Sequence, residues 1–132
     1  MNALRGLVRR HLFTLLLLLL AGGFAVILGE LFLYQHWEGT QLVGLIVTIV
    51  GTVAVVAGLF VKGTLRSVLA ILLLVLSVAG LLGVREHSES AAKAQNEEDA
   101  VPPPLAPLGV SGLSLMGFVL LFARRDDESP NQ

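Results

Sequence analysis

The sequence contains no cysteine, and charged residues make up only 14% of its 132 residues. The lack of cysteine excludes disulfide bonds, thiolate metal sites and cysteine nucleophiles. The scarcity of charge excludes an ordinary soluble domain, in which about a quarter of the residues are charged. A net charge of -1 predicts no nucleic-acid partner. The sequence also lacks the HExxH, GxSxG and phosphate-loop patterns, so we expect no enzyme.

What the sequence does have is long apolar stretches, and its mean hydropathy is +0.80. A helix needs about 17 to 25 apolar residues to cross a hydrocarbon core. Four stretches are long enough, at about residues 12–34, 42–61, 66–84 and 105–123. The second is rich in β-branched residues, but a lone strand would leave its backbone groups unpaired in lipid. We therefore predict an all-α polytopic membrane protein, an antiparallel bundle of four transmembrane helices that forms a single membrane domain over 1–132.

The first stretch has an alternative interpretation as a cleaved signal peptide, because Arg5, Arg9 and Arg10 precede a leucine-rich run. The apolar core of a signal peptide is about 7 to 15 residues long. Here the apolar run continues to Tyr34, which is long enough for a membrane anchor. We therefore expect this helix to be retained.

The basic residues predict the orientation of the chain. Lysine and arginine collect in cytoplasmic loops of membrane proteins. Only Arg85 and Lys93 lie in the segment between the third and fourth spans; the other seven lie at the termini or between the second and third spans. Both termini are therefore predicted in the cytoplasm, with the loops 35–41 and 85–104 outside, in a cell or inner membrane whose lipid bilayer is the first partner. The outer loop contains good helix formers, so we expect the third span to continue beyond the membrane.

Histidines and carboxylates follow the first and third predicted spans. Both spans run outward, so His36, Glu38, Glu86 and His87 emerge at the same face of the bundle. Imidazole and carboxylate suit Zn, Fe, Mn or Cu, which makes these residues the candidate metal ligands and a metal ion at the outer face the only candidate cofactor. However, neighbouring residues on a helix diverge by about 100°, so Glu86 and His87 would need a distorted turn to bind one ion. The alternative is a solvated acidic rim.

Glu30 is the candidate intramembrane carboxylate. It lies roughly 27 Å along the first span from Leu12, a depth that is ambiguous. A deep carboxylate is costly unless it is paired or faces a cavity, and Arg85 or His87 are then its expected partners. A carboxylate near the headgroups is instead solvated at the interface. Both alternatives remain open from the sequence.

Small residues in the spans predict where helices pack. Lipid gives helices little hydrophobic reason to associate, so close approach depends on small side chains and on polar bridges. Spans two, three and four carry such residues at helical spacing, within one chain or between chains. The candidates for helix packing are Gly44, Thr48, Thr52, Ala54, Gly58, Ala79, Gly83, Gly109 and Gly117.

Three pieces of the sequence carry a resemblance to a known group of proteins. They are Glu30 with HWEGTQL at 36–42, GLLGVREH at 80–87, and PPPLAPLG at 102–109. Together they resemble small, uncharacterised four-span bacterial membrane proteins over most of the chain past residue 30. The resemblance implies a bacterial inner-membrane setting and assigns no site.

A second comparison is with small multidrug-resistance transporters, which are four-span dimers built around a carboxylate in the first span. This chain departs from them, because Glu30 is near the far end of its span and the long acidic loop has no counterpart.

Two functions therefore remain. The first is a non-catalytic structural or accessory membrane component that packs with itself, as a homo-oligomer, or with the subunits of a larger membrane complex. The alternative is a small transporter or cation-binding membrane protein that uses Glu30 and the outer-face cluster of histidine and glutamate.

Overall fold

The computed structural model describes residues 2–33, 40–94 and 105–127, and the side chains of 11–33, 42–85, 88–89 and 107–123. The described residues form four helices and no strand. The helices are α1 (Asn2–Leu33), α2 (Thr40–Gly58), α3 (Gly63–Ala94) and α4 (Leu105–Asp127). The prediction of an all-helical chain is confirmed for this part of the sequence.

Two of the helices contain a segment that is long and apolar enough to cross a membrane, His11–Leu33 in α1 and Gly63–Arg85 in α3. The apolar segments of the other two are shorter, Leu42–Gly58 and Pro107–Ala123. The helix of α2 forms in spite of its β-branched residues, because an unbranched backbone ladder satisfies each peptide group within the segment.

The helices extend further than the apolar stretches in two places. α1 begins at Asn2, well before the apolar run, and α3 continues to Ala94, into the predicted outer loop. The continuation of α3 agrees with the helix formers in that segment. Pro107 lies in the first turn of α4, where the missing N–H of proline costs nothing.

The turn between α2 and α3 is closed by local hydrogen bonds. The backbone N–H groups of Phe60 and Val61 both donate to Ala57 O, at 2.9 and 3.0 Å. Gly63 then begins α3 with a φ of 59°, a left-handed conformation that favours glycine. Arg66 is buried and donates from Nη2 to Val61 O at 2.7 Å, so its guanidinium fastens the end of α2 to the first turn of α3.

α3 and α4 form the most extensive contact in the chain, and they run in opposite directions. A Cβ atom on Gly83 would touch Pro107, one on Gly80 would meet Ser111, and one on Gly117 would meet Leu73. As the numbers rise along α4 they fall along α3, which defines an antiparallel pair. The glycines lie at the points where the two helices come closest.

α1 packs against α2 and α4, and in the described part of the chain it makes no contact with α3. Phe24 is fully buried and lies over Gly51 of α2, where a Cβ atom would be 2.7 Å from the ring. Ile27 lies over Gly109 of α4 in the same way, at 2.8 Å. α1 and α3 therefore occupy opposite corners, with α2 and α4 between them.

The core contains apolar side chains from all four helices, with Leu17, Phe24, Val55, Leu73 and Leu121 almost completely buried. More of the large apolar side chains nevertheless point away from the core, on every helix. In α1, Leu19 is 73% exposed and Val26 is 72% exposed. The outer surface of the described helices is thus as apolar as their interior.

We predict that Gly80→Ala destabilises the chain while Gly112→Ala does not. A Cβ atom at Gly80 would lie 2.9 Å from the backbone nitrogen of Ser111, so α3 and α4 must separate. At Gly112 nothing lies within 4 Å, which makes it a matched control on the facing helix. Alanine favours a helix by about 1 kcal/mol over glycine, so the control variant is expected to be at least as stable as the parent. Reversible unfolding in mixed micelles measures both; equal stability of the two variants would contradict the close contact.

Candidate functional site

The predicted outer-face metal cluster falls largely beyond the described side chains. His36 and Glu38 lie outside the described residues, and Glu86 and His87 lie on the described backbone of α3 without described side chains. Among the described residues, no three histidine or carboxylate side chains come together. The metal site therefore stays a prediction.

Glu30 lies in the last turns of α1, and its side chain is exposed on the outside of the helix packing. Arg85, one of its two expected partners, instead donates from Nε to Oε1 of Glu89 at 2.8 Å, within α3. Because α1 and α3 occupy opposite corners, α2 and α4 separate Glu30 from Arg85. The pair of Arg85 and Glu89 is itself exposed, and such pairs stabilise by about 1 kcal/mol or less.

The interior holds hydroxyl groups where a soluble core would hold aliphatic side chains. Thr48, Ser77, Ser111 and Ser114 are all buried. Thr48 satisfies its hydroxyl within α2, donating to Gly44 O at 2.8 Å, and Thr52 repeats the bond to Thr48 O. These local bonds let α2 carry polar side chains inward without an external partner.

Ser77 and Ser111 connect α3 to α4 by hydrogen bonds. The Ser111 hydroxyl donates to Ser77 O at 2.9 Å, and the two hydroxyl oxygens are 3.3 Å apart. Each hydroxyl has one proton, so with the proton of Ser111 used, Ser77 is the donor in the second contact. Gly80 lies next to this pair and lets the helices approach closely enough for both bonds.

The residues predicted for helix packing divide into groups by location. Four lie directly on another helix, two more are buried, two are half-buried, and one faces outward. In that order they are Gly58, Gly83, Gly109 and Gly117, then Thr48 and Ala54, then Thr52 and Ala79, and finally Gly44. A Cβ atom at Gly58 would lie 2.7 Å from Leu121, whereas at Gly44 nothing lies within 4 Å.

Several contact residues were absent from the predicted set, namely Gly23, Gly51, Ser77 and Gly80. In α3 the prediction followed a four-residue step from Ala79 to Gly83. The contact instead follows three-residue steps through Ser77, Gly80 and Gly83, a spacing that was present in the sequence and that also keeps residues on neighbouring positions of one helix face.

We predict a measurable coupling between Ser77 and Ser111. Serine-to-alanine changes at each position remove interhelical bonds, and hydrogen bonds between transmembrane helices average about 0.6 kcal/mol in double-mutant cycles. The double variant should therefore lose less stability than the sum of the two single variants. Ser88→Ala is the control, because Ser88 is exposed and bonds only to Arg85 O of its own helix. Additive effects at Ser77 and Ser111 would show that the two hydroxyls act independently.

No family model matches the chain, and no curated protein or solved structure matches it. The resemblance to small four-span bacterial membrane proteins therefore stays a prediction, and the argument for function rests on the arrangement of the helices.

Proposed function

We propose that the chain is a small, non-catalytic multi-pass protein of the bacterial inner membrane, a structural or accessory component that packs with itself or with a larger membrane complex. In this proposal α1 to α4 form an antiparallel four-span bundle with both termini in the cytoplasm.

One observation carries the proposal: large apolar side chains point outward on all four helices. The core helix of a soluble protein is mostly buried, yet only 17% of the apolar window of α1 and 28% of that of α3 is buried. Soluble monomers seldom expose apolar patches larger than a few hundred Å². A lipid bilayer is the solvent that such a surface requires.

The shorter helices are long enough to span with the others. The segments Leu42–Gly58 and Pro107–Ala123 are at the lower end of the roughly 17 to 25 residues that a transmembrane helix needs. Each packs alongside a longer one: Gly51 of α2 meets Phe24 of α1, and Gly117 of α4 meets Leu73 of α3. Helices that share their depth in this way support four spans, with the seven basic residues on the cytoplasmic side.

The outward face of α1 supports association with a further helix. Gly22 and Gly29 are seven residues apart, so they lie on one side of the helix, and both are exposed with nothing within 4 Å of a Cβ position. Small residues of this kind let a neighbouring helix approach closely in lipid. The transporter alternative is weaker, because its carboxylate should face a protected interior, whereas Glu30 is exposed.

We predict that single cysteines at positions 90 and 129 react from opposite sides of the membrane. The parent has no cysteine, so Ser90→Cys and Ser129→Cys each carry one thiol. In intact cells an impermeant maleimide should label position 90 alone, and position 129 should react only after permeabilisation. Labelling of both from the same side would overturn the proposed topology.

We also predict that Gly22→Leu with Gly29→Leu reduces association of the chain in lipid. The added side chains fill the open face of α1 and hold a partner helix away. Gly112→Leu, at an equally open position of α4, is the matched control. Subunit counting in native membrane particles gives the measurement, in which the double variant should shift to smaller particles. An unchanged particle size would show that another face carries the association.

A further inference from the structure

Ser114 is the one hydroxyl of the described interior whose oxygen has no hydrogen-bond partner in the protein. It is completely buried on the inner face of α4, between Ser111 and Gly117. A buried polar group without a partner costs about 1 to 3 kcal/mol. In a lipid-embedded helix the usual substitute, bulk water, is also absent.

Other buried hydroxyls lie at nearly the same depth as Ser114. Gly117 of α4 is beside Val55 of α2, so two helical turns back along both helices Thr48 reaches the level of Val110 and Ser111. Ser77 of α3 is bonded to Ser111 at that level. Three helices therefore bring hydroxyl oxygens into a single layer within about one helical turn of Ser114.

The hydroxyls of this layer keep unused acceptor capacity. Thr48 donates its proton to Gly44 O and Ser111 donates its proton to Ser77 O, and each oxygen retains lone pairs after donating. A water molecule needs two to four polar partners to be held in a protein interior. Ser114 supplies a donor and an acceptor, and the neighbouring hydroxyls supply further acceptors.

We infer that Ser114 binds an internal water molecule, which joins it to the hydroxyl layer formed by Thr48, Ser77 and Ser111. The water accepts the Ser114 O–H and donates to lone pairs of the layer. The glycines on either side of the layer, Gly80 and Gly117, keep the neighbouring volume free of side-chain atoms. This inference concerns the interior and does not depend on which way the chain is oriented in the membrane.

The test is magnetisation transfer from water to Ser114 in the full chain, reconstituted in lipid nanodiscs with isotope-labelled serine. We expect a cross-relaxation signal between water and the Ser114 methylene, as well as at exposed Ser88, and none at the lipid-facing Val119. Loss of the Ser114 signal, with Ser88 still visible, would overturn the inference.

A second measurement uses the sign of a stability change. If the hydroxyl is satisfied by water, Ser114→Ala removes those bonds, and the folding equilibrium constant should fall about fivefold. If the hydroxyl has no partner at all, removing it relieves a desolvation cost, and the constant should stay the same or rise. An unchanged or larger constant would therefore overturn the inference as well.

Discussion

The structure depends on close approach between helix backbones at positions without a side chain. In lipid, apolar side chains gain nothing by moving from the bilayer to a helix contact, so packing and hydrogen bonds must hold helices together. At Gly80 the backbone of α3 comes so near to α4 that Ser111 can bond to a carbonyl of the opposite helix. At Gly51 and Gly109 the missing side chains create the space that Phe24 and Ile27 fill. Large residues of one helix thus enter gaps left by glycines of the next.

The same constraint explains why polar groups lie inside and apolar groups outside. Serine and threonine are small enough for a close contact and can satisfy their hydroxyls on a nearby carbonyl. Thr48 does so within α2, and Ser111 does so across to α3. Arg66 follows the same rule at the end of the packed region, where its guanidinium binds the last turn of α2. Every one of these groups replaces water with a protein acceptor.

The sequence predicts the helical fold well and the contacts only in part. Run length and the absence of charge identify all four helices, because lipid requires each segment to satisfy its own backbone. The helix faces are harder, since these helices are apolar on all sides and no polar stripe marks the exterior. Gly44 and Gly117 look equivalent in the sequence, yet one faces outward and the other meets Leu73. Ser77 and Gly80 were missed because a four-residue step was preferred to a three-residue one. The corners occupied by α1 and α3, which separate Glu30 from Arg85, follow from packing and carry no local signal.

The central claim is that the outer surface of α1 to α4 faces lipid, and a nitroxide scan tests it directly. The chain has no cysteine, so single cysteines along α1 can each carry a spin label. At Leu19 and Val26 the account predicts high accessibility to oxygen, which concentrates in hydrocarbon, and low accessibility to a water-soluble nickel chelate. At Leu17 and Phe24, which are buried, both should be low. High accessibility to the nickel chelate at Leu19 and Val26 would place that surface in water and contradict the account.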